Sequence, residues 1–284
     1  KTRVLVHRIA WLIRAEGLSP QAILAVTFTN KAAKEMRGRI ESMLRVSTHG
    51  FWVGTFHGLA HRLLKLHWRE AGLAQNFQIL DSDDQLRLIK RIVKELGLDD
   101  SRWPPKQVQG FINAQKDEGL RAAHIDAGGD FYLQTMVKAY TAYEEACERS
   151  SLVDFAELLL RAHELWLNQP TLLKHYQNRF RHILVDEFQD TNTVQYAWLR
   201  VLAGTQIPVM AVGDDDQSIS GWRGAQIENI QRFSQDFSDT HTIRLEQNYR
   251  STQTILKAAN GVIDNNFGRL GKDLWTEGDE GEKI

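Results

Sequence analysis

Cysteine is almost missing. Cys147 is the one thiol in 284 residues, which excludes an internal disulfide and any zinc cluster built from cysteines. Long apolar runs are missing too: none approaches the roughly 20 residues that a membrane-crossing helix needs, and the start of the chain lacks the charged-then-apolar pattern of a secretion signal. A reducing, cytoplasmic setting fits these absences. Neither charge is in excess. The formal net charge is -1, so the overall balance offers a polyanion no general attraction. Internal repeats and low-complexity tracts are also absent. What is present is a 42% hydrophobic chain, long enough for one large domain or two ordinary ones with real cores.

The charge is unevenly spread. Residues 1–69 hold twelve lysines and arginines against three glutamates. That excess fits either a phosphate-facing surface or ordinary solvated helix faces. Three short apolar runs read as buried strands: ILAVTF (23–28), HILV (182–185) and IPVMAV (207–212), with FWVG (51–54) and TIRL (242–245) as shorter candidates. Helical spacing recurs over 3–15, 31–44 and 194–202, so strand alternates with helix, as in a parallel α/β sheet. Between about Phe56 and Arg181 no convincing strand is visible. Helical periodicity instead recurs in DQLRLIKRIVKEL, PPKQVQGFINAQK, TMVKAYTAYEEACE and VDFAELLLRAHELWL, which predicts an inserted helical domain. Pro104 and Pro105 suit a helix start, and Gly128-Gly129 a loop. A helix over 252–263 opens something new, and the acidic tail EGDEGEKI reads as the first piece of a further domain.

Chemistry concentrates where strands end. ILVDEFQDT (183–191) carries two adjacent carboxylates at the end of an apolar strand. At the carboxyl edge of a parallel sheet, Asp186 could hold Mg²⁺ while Glu187 orients and deprotonates a water; a solvated strand end is the plainer alternative. Lys1-Thr2 followed by VLVHRIAWLI has the form of the last two residues of a phosphate-binding loop running into a helix. The glycines that would make that motif specific are not in the sequence, so its weight comes from the acid pair. GDDDQS (213–218) places Gln217 after another strand, where an amide could sense a γ-phosphate, although three aspartates also suit a solvated turn. Gly221-Trp222-Arg223-Gly224 sets an aromatic beside a cation, to pack on a core residue or on a base. In QNYRST (247–252), Arg250 stands across an expected domain boundary, where an arginine finger would act on cleft closure. Tyr249 either stacks on a base or simply starts a helix.

Taken in order, TFTNKAAKEM (27–36), GTFHGLAHRLL (54–64), LVDFAELL (152–159), ILVDEFQDTN (183–192), VGDDDQSISGWRGA (212–225) and RLEQNYRST (244–252) resemble the motifs of UvrD/Rep/PcrA-type superfamily-one DNA helicases over essentially the whole chain. The resemblance implies a RecA-like P-loop NTPase sheet with an inserted all-α subdomain. Residues 1–55 and 181–246 would form motor domain 1A, 56–180 subdomain 1B, and 247–284 the start of a second RecA-like domain, 2A. It implies ATP and Mg²⁺ as cofactors, with Lys1 and Thr2 on the phosphates, Thr2 and Asp186 on the metal, and Glu187 on the water. Gln217 and Arg250 would touch the γ-phosphate, and Arg3 and Tyr249 would sandwich adenine. Phe28, Thr29, Asn30, Thr55, His57 and Trp222 would contact DNA, with Arg223 linking that track to the nucleotide.

The activity so implied is ATP-driven 3′–5′ movement on single-stranded DNA and unwinding of 3′-tailed duplex in DNA repair and replication. Mismatch- and excision-repair proteins are the implied partners, in the cytoplasm and nucleoid of a bacterium, with the protein a monomer or a DNA-dependent dimer. Three alternatives stand beside it: the motor of a helicase-nuclease or Rep-type restart enzyme, a translocase that displaces proteins without separating strands, and a non-catalytic nucleotide-binding fragment. The intact Glu187 speaks against the last. Ser220 occupies the place where these helicases usually carry a tyrosine, which implies one fewer stacking contact. The missing phosphate-loop glycines and the missing later motifs imply a piece that does not unwind DNA alone.

Overall fold

Strand β1 (Ile23–Thr27) is buried along its whole length and forms the middle of a four-stranded sheet. The computed structural model describes residues 1–221 and 224–284, so the expectations for Trp222 and Arg223 lie outside the described residues. Around β1 stand β2 (Trp52–Thr55), β5 (His182–Val185) and β6 (Val209–Ala211), in the order β2-β1-β5-β6. All pairs are parallel. Side-chain alternation splits the sheet into two apolar faces. Leu24, Val26, Trp52, Ile183 and Val185 point into the larger core, which α3 (Phe56–Leu66), α7 (Phe155–Asn168) and α9 (Thr193–Ala203) complete. Ile23, Ala25, Val53 and Leu184 face the other way, against α1 (Thr2–Arg14) and α2 (Asn30–Leu44). The result is a sheet between two helical layers, as the α/β expectation requires.

Helix starts follow local chemistry. Thr29, Thr55, Asp81, Asp130, Asp154 and Asn192 each cap a helix by accepting a hydrogen bond from a backbone N–H of the first turn, which satisfies donors that the helix leaves unpaired. Between β2 and β5, α4 (Ser82–Glu95), α5 (Pro105–Asp117) and α6 (Phe131–Ser150) bury an apolar cluster of their own that includes Ile89, Ile112, Met136, Tyr140 and Cys147. Cys147 lies among charged neighbours in the chain yet faces inward, and burial pushes its thiol up to about 11.

Two of the sequence expectations change. The helical region also holds a small parallel pair, β3 (Gln78–Leu80) with β4 (Leu152–Asp154). Three residues per strand are too few to show a period of two, and LVD runs directly into α7. TIRL (242–245) forms no strand; Ile243 is 73% exposed and Leu245 is exposed too, so the run is not buried as a strand of this sheet would be. Helices α8 (Pro170–Arg179), α10 (Glu228–Asp236) and α11 (Gln253–Ile263) complete the described elements. No helix among the described residues is long and apolar enough to cross a membrane.

Candidate active site and nucleic-acid interface

Register places the candidate residues in one row. Thr27 pairs with Thr55, Val26 with Val185, and Val185 with Ala211. One step further along each strand therefore come Phe28, Phe56, Asp186 and Val212, all at the carboxyl edge where α/β sheets bind ligands. The ladder continues past the strands: Asp186 N donates to Val26 O at 2.9 Å, Val212 N to Val185 O at 2.9 Å, and Phe188 N to Val212 O at 3.0 Å. The chain then turns sharply, with Glu187 at φ 49°. A glutamate in the left-handed region carries backbone strain, and here that strain lies at the acid pair.

Asp186 is 2% exposed. Its Oδ2 accepts from Thr2 Oγ1 at 2.8 Å and its Oδ1 from the Glu187 N–H at 3.0 Å. Burial pushes its carboxyl up, against the pull of the Thr2 bond. Lys1 Nζ stands 3.5 Å from Glu187 Oε2 and 3.7 Å from Asp214 Oδ2, and among the described residues this buried ammonium makes no hydrogen bond. Helix α1 begins at Thr2 with no acidic residue in its first turn, so its positive end adds to the lysine. An ammonium with unused donors at a helix start fits an anionic phosphate. A hydroxyl paired with a carboxylate is the hard-oxygen donor set that suits Mg²⁺.

Two residues that sequence reasoning did not single out hold this cluster together. Gln189, 2% exposed, donates to Glu187 Oε2 at 2.6 Å and accepts from the Asp214 N–H at 3.0 Å. A carboxamide does both at once, whereas a carboxylate only accepts. Gly213 makes room for it, since a Cβ there would come within 3.0 Å of Gln189 Oε1. Asp214 is the second. It receives Gln217 Nε2 at 2.6 Å and pairs with Lys272; burial alone would raise its carboxyl, and Lys272 and Lys1 hold it below its usual value. The signal for both lay inside the quoted motifs, DEFQDT and GDDDQS, as polar residues directly beside the ones chosen.

The three aspartates are not simply a solvated turn. Asp216 accepts from Arg269 Nε at 2.9 Å and pairs with Lys272 at 3.0 Å, while Asp215 accepts from the Leu270 N–H at 2.6 Å. The chain after α11 is thus docked on GDDDQS. Gln217 reaches the cluster through Asp214. Other expected nucleotide contacts are apart from it: among the described residues no hydrogen bond, ion pair or ring contact joins Arg250 or Tyr249 to Lys1, Thr2, Asp186 or Glu187. Tyr249 is 87% exposed and donates to Gln247 Oε1 at 2.8 Å. Arg3, at the exposed start of α1, lines a groove of about 630 Å³ with Val6, His7, Arg39 and Met43, and Tyr249 is not part of that lining.

Along the same edge Phe28 packs on Phe56 with ring centroids 5.2 Å apart. Thr29 and Thr55 are spent as helix caps through Ala32 N and Gly58 N. Asn30 and Thr55 border a polar hollow of about 500 Å³ with Arg37, His49 and Arg62. His57 meets Phe155 edge-on at 6.3 Å, and burial lowers its pKa. Several basic residues of the first quarter are consumed internally. Arg37 donates to Val53 O, Arg62 to Phe51 O and Gly50 O, and Arg62 also lies 3.9 Å above the Trp52 ring.

A family model described as the UvrD/REP helicase N-terminal domain matches residues 1–238, and one described as the UvrD-like helicase C-terminal domain matches residues 243–284. DNA helicase II of Escherichia coli (strain K12) is 66% identical over 284 residues, 100% of this chain and 39% of the relative. DNA helicase II of Haemophilus influenzae is 58% identical, covering 100% and 40%. The ATP-dependent DNA helicase PcrA of Bacillus subtilis (strain 168) is 44% identical, covering 100% and 39%. The chain therefore spans about two fifths of the length of these relatives.

Proposed function

This chain belongs to the UvrD/REP helicase family, and we propose that it forms the ATP-hydrolysing part of a DNA helicase that moves 3′ to 5′ on single-stranded DNA and unwinds 3′-tailed duplex in DNA repair and replication. The observation that carries this reading is the unbonded Lys1 ammonium, set between Glu187 and Asp214 beside the Thr2–Asp186 pair.

In this reading Lys1 and the start of α1 take the phosphates of ATP, and Thr2 and Asp186 would hold Mg²⁺, which would supply neutralisation of phosphate charge. Glu187 orients the attacking water and takes its proton, held in place by Gln189. Gln217 and Arg250 read the γ-phosphate; because Arg250 is separate from the cluster here, its arrival requires cleft closure. Arg3 and Tyr249 close on adenine. Phe28, Thr29, Asn30, Thr55, His57 and Trp222 form the DNA track, with Arg223 as its link to the nucleotide. Residues 1–55 and 181–246 act as motor domain 1A, 56–180 as subdomain 1B, and 247–284 as the start of 2A.

ATPase measurements on the full-length protein, with and without a single-stranded oligonucleotide, test the reading. Strong stimulation by DNA is expected. Glu187→Gln should keep ATP binding and lower turnover by about 100- to 10,000-fold, as for other general bases. Equal ATPase with and without DNA overturns the motor. Unwinding of a 3′-tailed but not a 5′-tailed duplex separates a helicase from a translocase that only displaces proteins.

A further inference from the structure

The turn behind the acid pair is rigidly tied to it. Asp190 N donates to Glu187 O at 2.9 Å and Thr191 N to Phe188 O at 3.2 Å, so residues 187–191 form one hydrogen-bonded turn. Thr191 is fully buried. The segment that follows Trp222 and Arg223 is fastened to this turn from its other side. Gln226 N donates to Thr191 O at 2.9 Å, and the buried Asn229 Nδ2 donates to both Thr191 O and Thr191 Oγ1 at 3.1 Å.

A third body completes the joint. Glu118, just past the end of α5, accepts from Thr193 Oγ1 through Oε2 at 2.8 Å and from Gln226 Nε2 through Oε1 at 3.1 Å. One carboxylate thus bridges the first residue of α9 and the segment after the Trp-Arg pair. Its neighbour Asp117 lies against Gly224, where a Cβ would stand 3.2 Å from Asp117 Oδ2 and where φ is +80°; both the close approach and the backbone require glycine. The base of the bridge is firm. Lys116, 2% exposed, pairs with Asp154 at 2.7 Å, and Asp154 caps α7, which packs on α9.

We propose that Glu118 is a positioning residue for DNA-stimulated ATP turnover, its carboxylate holding Thr193 and Gln226 in one bridge so that a strand seated at Trp222–Arg223 alters the setting of Glu187. This inference rests on the motor reading above. A carboxylate suits the role because it offers two acceptors on opposite sides, and each arm ends on one of the two segments to be coupled. Glu118 is exposed on its outer side, so its replacement leaves the core untouched.

The test uses the full-length protein with ATP and a dT oligonucleotide. Glu118→Ala should lower the DNA-stimulated kcat about fivefold, the rate equivalent of roughly one net hydrogen bond, with the unstimulated rate and the half-saturating DNA concentration unchanged. Thr193→Val, which removes one arm, should show the same selective loss. The double variant should lose no more than Glu118→Ala alone, because both changes break one coupling. Glu118→Gln keeps one acceptor and should fall between. Undiminished stimulation in Glu118→Ala, or a parallel fall of stimulated and unstimulated rates, overturns the inference while leaving the motor reading intact. No stimulation in the unsubstituted protein overturns the motor reading and this inference with it.

Discussion

Asp117 shows how one residue's surroundings reset its chemistry. Burial, then the like charges of Asp154 and Glu118, push its carboxyl up to about 7, against an ordinary value near 4. A carboxyl whose folded value is raised favours the protonated native state. Its stabilising contribution is present at low pH and is lost as pH rises from about 4 through about 7. Asp117→Asn keeps the shape and removes the titration. It should therefore raise the melting temperature at pH 8 by about 2–4 °C for each kcal/mol recovered and leave it nearly unchanged at pH 3. Thermal melts at the two pH values check this, and equal shifts at both would count against it. Glu157 behaves oppositely. Burial alone would raise it, yet Lys116, Arg121 and Arg161 hold it down to about 2, so its contribution is complete above about 4.5 and is lost as pH falls toward 2.

At the scale of elements, that carboxylate belongs to a charge network that joins α5, β4 and α7. Lys116 pairs with Asp154 at 2.7 Å and with Glu157 at 3.6 Å. Arg121 reaches Glu157 at 2.7 Å and Glu164 at 2.6 Å. Tyr143 of α6 donates to Asp154 at 2.5 Å. Burial alone would discharge Lys116, but Glu157 and Asp154 outweigh it and keep its pKa raised. Buried pairs of this kind add little net stability when intact, yet removing one partner strands the other. Lys116→Met should cost about 3–5 kcal/mol and loosen α5 from α7, measurable by chemical denaturation. A loss below about 1 kcal/mol would show that water or Arg121 replaces the ammonium. The helical region is thus welded to the motor sheet through α7, which packs on both α3 and α9.

Across the whole molecule, the segment after α11 is held to the sheet edge chiefly by charge. Lys272 and Arg269 both pair with Asp216, and Lys272 also pairs with Asp214. Among the described residues the ladder-like link in that region is an isolated bridge between Gln247 and Trp275. Contacts of this composition are screened by salt more than apolar ones. The double change Lys272→Ala with Arg269→Ala should speed proteolysis within 264–275 several-fold at low salt and much less at 0.5 M salt. Identical cleavage in parent and variant would show that other contacts set the docking. Asp214 lies at the meeting point of Lys1, Gln217 and Lys272, so the same loosening would reach the Lys1–Glu187 cluster.

The amino-acid sequence by itself determined the strands and most helices that the site needs. Buried parallel strands are short continuous apolar runs, and helices of amphipathic spacing announce themselves locally. The acid pair and Gln217 stood out because strand ends of a parallel sheet meet at one edge, and Lys1-Thr2 gained weight only beside the acid pair. Tertiary structure alone decided the rest. TIRL has the composition of a strand yet forms none, whereas QIL and LVD, far apart in the chain, pair in parallel. Gln189, Asp214 and Gly213 gain their roles only when β5 and β6 lie in register, and Cys147 turns inward because its helix face, not its flanking charges, sets its burial. Glu118 is the furthest case: 75 residues separate it from Thr193 and 108 from Gln226, and contacts over such distances leave no period or motif in the chain.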